Sequence, residues 1–167
     1  MRGISQPARA IIYGGMIGGS LDISYACLIS ILGGRAPETM LKGIAAGLLG
    51  RSVVTRGTEI AILGLALHFV IALGAATTYY AVSRKVTLLV SRAPICGPLF
   101  GAIVYLIMNR IVLPLSALHV RPQMRMPGLL AVMFLVGLPI ALSVQRFSRF
   151  EAPCEESLAA IVAGQAD

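Results

Sequence analysis

The chain has 167 residues, of which 57% are hydrophobic and only 13% charged, and its formal net charge is +7. Soluble domains carry about 25% charged residues, so this composition, with a mean hydropathy of +0.85, excludes an ordinary soluble globule. The positive charge does not point to nucleic acid, because the basic residues flank apolar runs and no aromatic–basic surface accompanies them.

In chain order, the first apolar run covers about 10–33 and reads AIIYGGMIGGSLDISYACLISILG. Arg2 and Arg9 precede it, as in a secretory signal. The run is too long for a signal core, however, and is broken by glycines and by Asp22. An uncleaved first helix is therefore expected, ending at Gly33-Gly34.

Pro37 and Glu38 then mark a new helix start, with proline in the first turn and an acid beside it. Met40, Leu41, Ile44, Ala45, Leu48 and Leu49 recur at helical spacing before Gly50. This segment, 37–49, is short and carries Lys42, with Arg51 just beyond it. It is predicted as an amphipathic helix at the membrane surface or partly re-entrant. A connecting helix packed on the bundle is the equal alternative.

The second run, about 59–82, reads EIAILGLALHFVIALGAATTYYAV and is followed by Arg84, Lys85 and Arg92. Pro94 opens the third, about 94–115, and a loop with His119, Arg121 and Arg125 follows. Pro127 opens the fourth, about 127–145, in which Pro139 predicts a kink. Residues 147–167 form a polar, acidic tail. Each run approaches or reaches the ~20 residues that cross a hydrocarbon core as a helix. The expected fold is all-α: one polytopic domain, 1–146, with four transmembrane helices and one short interfacial helix. No internal repeat of the kind many transporters carry is visible.

If the N-terminus is inside, Arg2, Arg9, Arg84, Lys85, Arg92, Arg146 and Arg149 face inward. Arg35, Lys42, Arg51, Arg56, Arg121 and Arg125 face outward. The counts are close, but the inner set hugs the helix ends, where the positive-inside rule carries weight. Tyr13, Tyr79 and Tyr80 fall at that same face as interfacial anchors. Both termini are thus expected in the cytoplasm.

Asp22 is the only acid within the interior of any apolar run. A charge at that depth costs at least ~2.5–3.5 kcal/mol, so it needs a partner or a purpose. Gly14, Gly15, Gly18 and Gly19 make a doubled small-x-x-x-small pattern, and Asp22 follows Gly18 by four residues. On the second run Gly64, His68, Ala72 and Ala75 make a comparable face, and the two faces are expected to pack together. At ~1.5 Å per residue, Asp22, His68, Asn109 and Arg110 lie at roughly 16–24 Å from the inner end. They are therefore predicted to form one buried polar cluster. Such a cluster can fix helix register, or relay a proton or ion, since histidine titrates near neutrality. Arg110 has a third option, which is to extend its head to the outer interface.

His68 and His119 fall at different depths, so no shared haem is expected, and no cofactor is implied. Cys27, Cys96 and Cys154 have no metal-ligand spacing. Neither a nucleophile–base spacing nor a phosphate loop or metal motif is present, so no enzyme activity is expected.

The segments LGLALHFVIALGAATTYYAVSRK, RAPICGPLFGAIVYLIMNRIVLPLSA and VGLPIAL resemble a group of small, uncharacterised bacterial inner-membrane proteins of the YagU type. The resemblance runs from the first helix to about residue 146. It implies four helices and a bacterial inner membrane, but no activity. Arg110 departs from that pattern, in which an aromatic or aliphatic residue would follow Met108-Asn109. The leading functional expectation is an accessory protein in the lipid bilayer that packs as a homo-oligomer or with a larger membrane complex. The alternative is a small transporter or channel with a path through Asp22 and His68.

Overall fold

A computed structural model describes residues 5–118 and 125–148. Arg2, His119, Arg121, Arg149, Cys154 and all but the first two residues of the expected acidic tail lie outside the described residues. The fold is an all-α polytopic membrane protein. Its helices are α1 (Gln6–Leu32), α2 (Pro37–Leu49), α3 (Thr58–Ser83), α4 (Ala93–Leu115) and α5 (Met126–Ser148). Four of them, all but α2, are long and apolar enough to cross a membrane. Large apolar side chains point outward along them, among them Ile62, Ile95, Leu99 and Leu130. In water such a belt would be an aggregation surface, whereas lipid is its natural solvent.

The ends follow from local chemistry. Pro7 sits in the first turn of α1, where a missing N–H is harmless, and the helix starts at Gln6. At its other end Gly34 adopts φ +70°, and Arg35 N–H donates back to the Ser30 carbonyl at 2.9 Å. Gly50, at φ +89°, stops α2. Two stretches are π-helical: Met108–Val112 in α4 and Val132–Gly137 in α5. Each lies just before a proline, Pro114 or Pro139. Proline has no N–H to give, so the carbonyl ladder upstream re-forms at wider spacing. The break expected at Pro139 thus takes the form of a π segment upstream of it.

Glycines set the helix order. A methyl on Gly14 would lie 3.2 Å from Ile140 Cα, and one on Gly18 would lie 3.3 Å from Val136 Cα, so this stripe seats α5. A methyl on Gly15 would meet Leu73, and one on Gly19 would meet Ala72 and Phe69, so the adjacent stripe seats α3. The doubled pattern is therefore two faces with two partners. The α4–α5 crossing is closer still: a methyl on Gly137 would fall on the Gly97 carbonyl and 2.8 Å from Gly101 N. The spans thus lie in the order α3, α1, α5, α4, each antiparallel to the next.

The expected pairing of the Gly64 face with α1 holds for His68 and Ala72 but fails for Gly64 itself. A methyl there would run into the Leu41 carbonyl, so Gly64 seats α2. That helix packs on α3 through buried Ala45 and Ala46, over a small core with Val53 and Ile60. It also reaches α4, because Ala117 N–H donates to the Gly47 carbonyl at 2.8 Å.

The main core lies nearer the end where the described chain begins and ends. There Ala10, Ala76, Tyr79, Ala93, Ile140, Ala141 and Val144 are buried together. Tyr79 is fully buried, sets its ring edge-on to Phe100 at 5.0 Å and donates to the Leu89 carbonyl at 2.9 Å. This contact closes one end of the seam between α3 and α4.

Candidate functional site

Away from that Tyr79–Phe100 contact, the seam between α3 and α4 opens. A cavity of about 270 Å³ occupies it, with Ala75 and Val104 among its walls. Asp22 from α1, His68 from α3 and Asn109 from α4 all line it. Val132 and Val136 of α5 and Ile44 of α2 line it too. The other walls include Ile71, Tyr105 and Met108. The cavity is therefore apolar, with a few convergent polar groups, which is the usual make-up of a ligand site.

The three polar groups are held differently. His68 Nε2 lies 2.9 Å from the Gly19 carbonyl of α1, and its ring meets Phe69 edge-on at 5.6 Å. Gly19 permits this approach, since a side chain there would occupy the space of Phe69 and Ala72. Asn109 Nδ2 donates to the Tyr105 carbonyl at 3.0 Å, one turn back. Tyr105 is in turn anchored at its hydroxyl, which accepts from Arg125 N–H at 2.9 Å and donates to the Arg125 carbonyl at 3.1 Å. Asp22 is half-buried and within electrostatic range of His68. It makes neither a hydrogen bond nor a salt bridge among the described residues.

Arg110 does not join this group. It is exposed, and the cavity wall includes Met108 and Asn109 but not Arg110. The reason is local: Arg110 sits inside the π-helical stretch Met108–Val112. Hydrogen bonding from i to i+5 puts an extra residue in the turn, so a face assigned at 3.6 residues per turn slips there. Both π segments border the cavity, a position where such segments often mark functional sites. Nothing matches the chain among known protein families, curated proteins or solved structures.

A second, apolar groove of about 700 Å³ adjoins the cavity, and the two share Ile44, Ile71 and Met108. Its walls are α2, α3 and the far end of α4, with Met40, Leu67, Ile111 and Leu113 among them. The cavity and the groove beneath α2 are thus separated by Ile44, Ile71 and Met108, which wall both. Cys27 and Cys96 are free thiols, and the described residues contain no cluster of metal-ligating side chains.

The sequence reading missed Tyr105 and the valines of α5 as cavity walls. It also missed the Gly97–Gly101–Gly137 crossing, although the spacing of Gly97 and Gly101 is itself a small-x-x-x-small signal.

Proposed function

We propose that the protein is a small transporter of the bacterial inner membrane, with both termini cytoplasmic, that passes protons or a small cation through Asp22 and His68. The observation that carries this reading is Asp22 itself: an acid inside a spanning helix, without a direct partner, at the wall of a cavity it shares with His68 and Asn109. An acid serving only to lock helices would be paired and dry, since its burial cost is otherwise unmet. A volume of about 270 Å³ has room for several waters or a small organic cation, at ~30 Å³ per water. Among the described residues no basic side chain lines the cavity apart from His68, so the site favours positive charge.

The test is flux in proteoliposomes. Proton uptake driven by a potassium diffusion potential, and counterflow of methylammonium, are measured for the parent, Asp22→Asn and His68→Ala. Loss of at least tenfold in either flux for Asp22→Asn is expected. Parental flux in both variants would refute the path.

A second reading is an accessory protein that binds a partner helix or its own copy. The open groove between α2, α3 and α4 favours it, because an apolar groove of about 700 Å³ can seat an amphipathic or spanning helix. Extraction in mild detergent then yields an oligomer or a retained partner, whereas recovery as a monomer alone would dismiss it.

A further inference from the structure

At the end opposite α2, the ends of α1 and α5 line a groove of about 930 Å³. Arg9 of α1 and Arg146 of α5 both line it. Both are exposed, and neither makes a hydrogen bond or ion pair among the described residues. Among the described residues no acidic side chain lines the groove. Among the described residues Glu38 and Glu59 belong to the opposite end of the bundle, and Asp22 lies more than three turns along α1 from Arg9. Two cations thus face one groove with no acid to balance them.

The groove also changes character with depth. One turn inward from Arg9, Tyr13 stacks on Phe147 with centroids 5.7 Å apart and planes 14° apart. Aromatic rings at this level mark the headgroup boundary. Below them the lining is aliphatic: Ile17 lies a further turn in, beside Leu142. A second, independent observation sits at the mouth. The Gln6 side-chain oxygen is buried and accepts no hydrogen bond, although Gln6 lines the same groove. A buried acceptor without a donor is costly, and a ligand that carries a donor would satisfy it.

We propose that this groove is a site for an anionic phospholipid with a hydroxyl-bearing headgroup, such as phosphatidylglycerol. The phosphate sits between Arg9 and Arg146, a headgroup hydroxyl donates to Gln6, and an acyl chain runs past the Tyr13–Phe147 pair along Ile17 and Leu142. Along α1 the groove passes from cation (Arg9) to aromatic (Tyr13) to aliphatic (Ile17), the order of groups along a lipid, while on α5 Arg146 and Phe147 share one level and Leu142 lies a turn further in. Free phosphate would engage only the first of these. Basic pockets between spanning helices commonly recognise such headgroups. This site is separate from the Asp22 cavity and does not depend on the transport reading.

The experiment uses the full chain in neutral detergent, titrated with phosphatidylglycerol or with phosphatidylcholine of the same acyl chains. Thermal unfolding and native mass spectrometry are the readouts. Phosphatidylglycerol is expected to bind preferentially and to raise the unfolding midpoint more than phosphatidylcholine. Arg9→Gln/Arg146→Gln should weaken it about thirtyfold, or about 2 kcal/mol at 1.4 kcal/mol per tenfold. Arg35→Gln/Arg56→Gln removes the same charge at the other end and should leave the preference intact. Equal effects of the two lipids would overturn the proposal, as would a preference that survives in Arg9→Gln/Arg146→Gln or inorganic phosphate binding as tightly as the lipid. Preferential binding that appears only after removal of residues 149–167 would assign the groove to the chain's own acidic tail instead.

Discussion

The Gly97–Gly101–Gly137 crossing makes the sharpest structural prediction. In Gly137→Ala the new methyl falls on the Gly97 carbonyl, 2.8 Å from Gly101 N and 2.9 Å from Gly101 Cα. All three obstacles are backbone atoms, so no rotamer change relieves them. The helices must part by roughly 1 Å to restore ordinary contact, and a gap of 0.5–1 Å forfeits a quarter to a half of each atom-pair attraction. Over ~40 such pairs at about 0.15 kcal/mol each, the loss is about 1.5–3 kcal/mol, within the range seen for overpacked cores. Gly74→Ala is the control, because nothing lies within 4 Å of its added methyl, and it should be neutral or slightly stabilising. Reversible unfolding of both variants in mixed micelles, followed by circular dichroism, measures the difference. If Gly137→Ala is as stable as Gly74→Ala, the close crossing is wrong.

Three further outcomes follow from other contacts. Tyr79→Phe keeps the ring on Phe100 but strands the Leu89 carbonyl, so the same unfolding assay should register a loss of about 0.5–1.5 kcal/mol. Gly64→Ala drives a methyl into the Leu41 carbonyl; α2 should then exchange its amide hydrogens faster while α1 and α5 keep theirs, and unchanged α2 protection would contradict its seat on α3. Glu38 is held below its ordinary value of 4.5 by its hydrogen bond to Lys42 and by that residue's charge. A lowered folded value contributes stability that is present above the unfolded value and lost as pH falls through the folded one. Protection of α2 should therefore be flat above about pH 4.5 and fall below it, and Glu38→Gln should abolish that step.

Helix positions were legible because lipid imposes long apolar runs, and prolines and glycines punctuate them. The bounds of α2 were legible too, from Pro37, Glu38 and Gly50. Face-to-face pairing was less so. Gly14, Gly15, Gly18 and Gly19 look like one packing surface in sequence, yet alternate members seat different helices. Gly64 looked like part of the α1 contact and instead accepts α2, since no local pattern says which neighbour arrives. Arg110 was misplaced because a 3.6-residue period was extended through a π-helical turn. Asp22, His68 and Asn109 were traceable to similar depths by rise per residue alone, but depth cannot say that a cavity separates them. That depends on the lateral order of the helices.

The lateral order explains where the cavity lies. Three helix pairs (α1–α3, α1–α5 and α4–α5) meet across glycines whose added methyls would strike the neighbouring helix. The α3–α4 seam has no such contact, and the side chains that meet across it at its closed end are the large rings of Tyr79 and Phe100. A row of four helices joined at three tight crossings must close, if it closes at all, through the fourth. Here the closing contact is confined to one end. The remainder of the seam holds the cavity, and Asp22 lines it from α1, which is seated against α3 and α5 through its glycines. The acid thus lies on the helix with two glycine-lined crossings and lines the seam that has none. A residue that only staples helices is better placed at a tight crossing, and Asp22 instead lines the one seam between neighbouring spans without a glycine crossing among the described residues, which is what the proposed path requires.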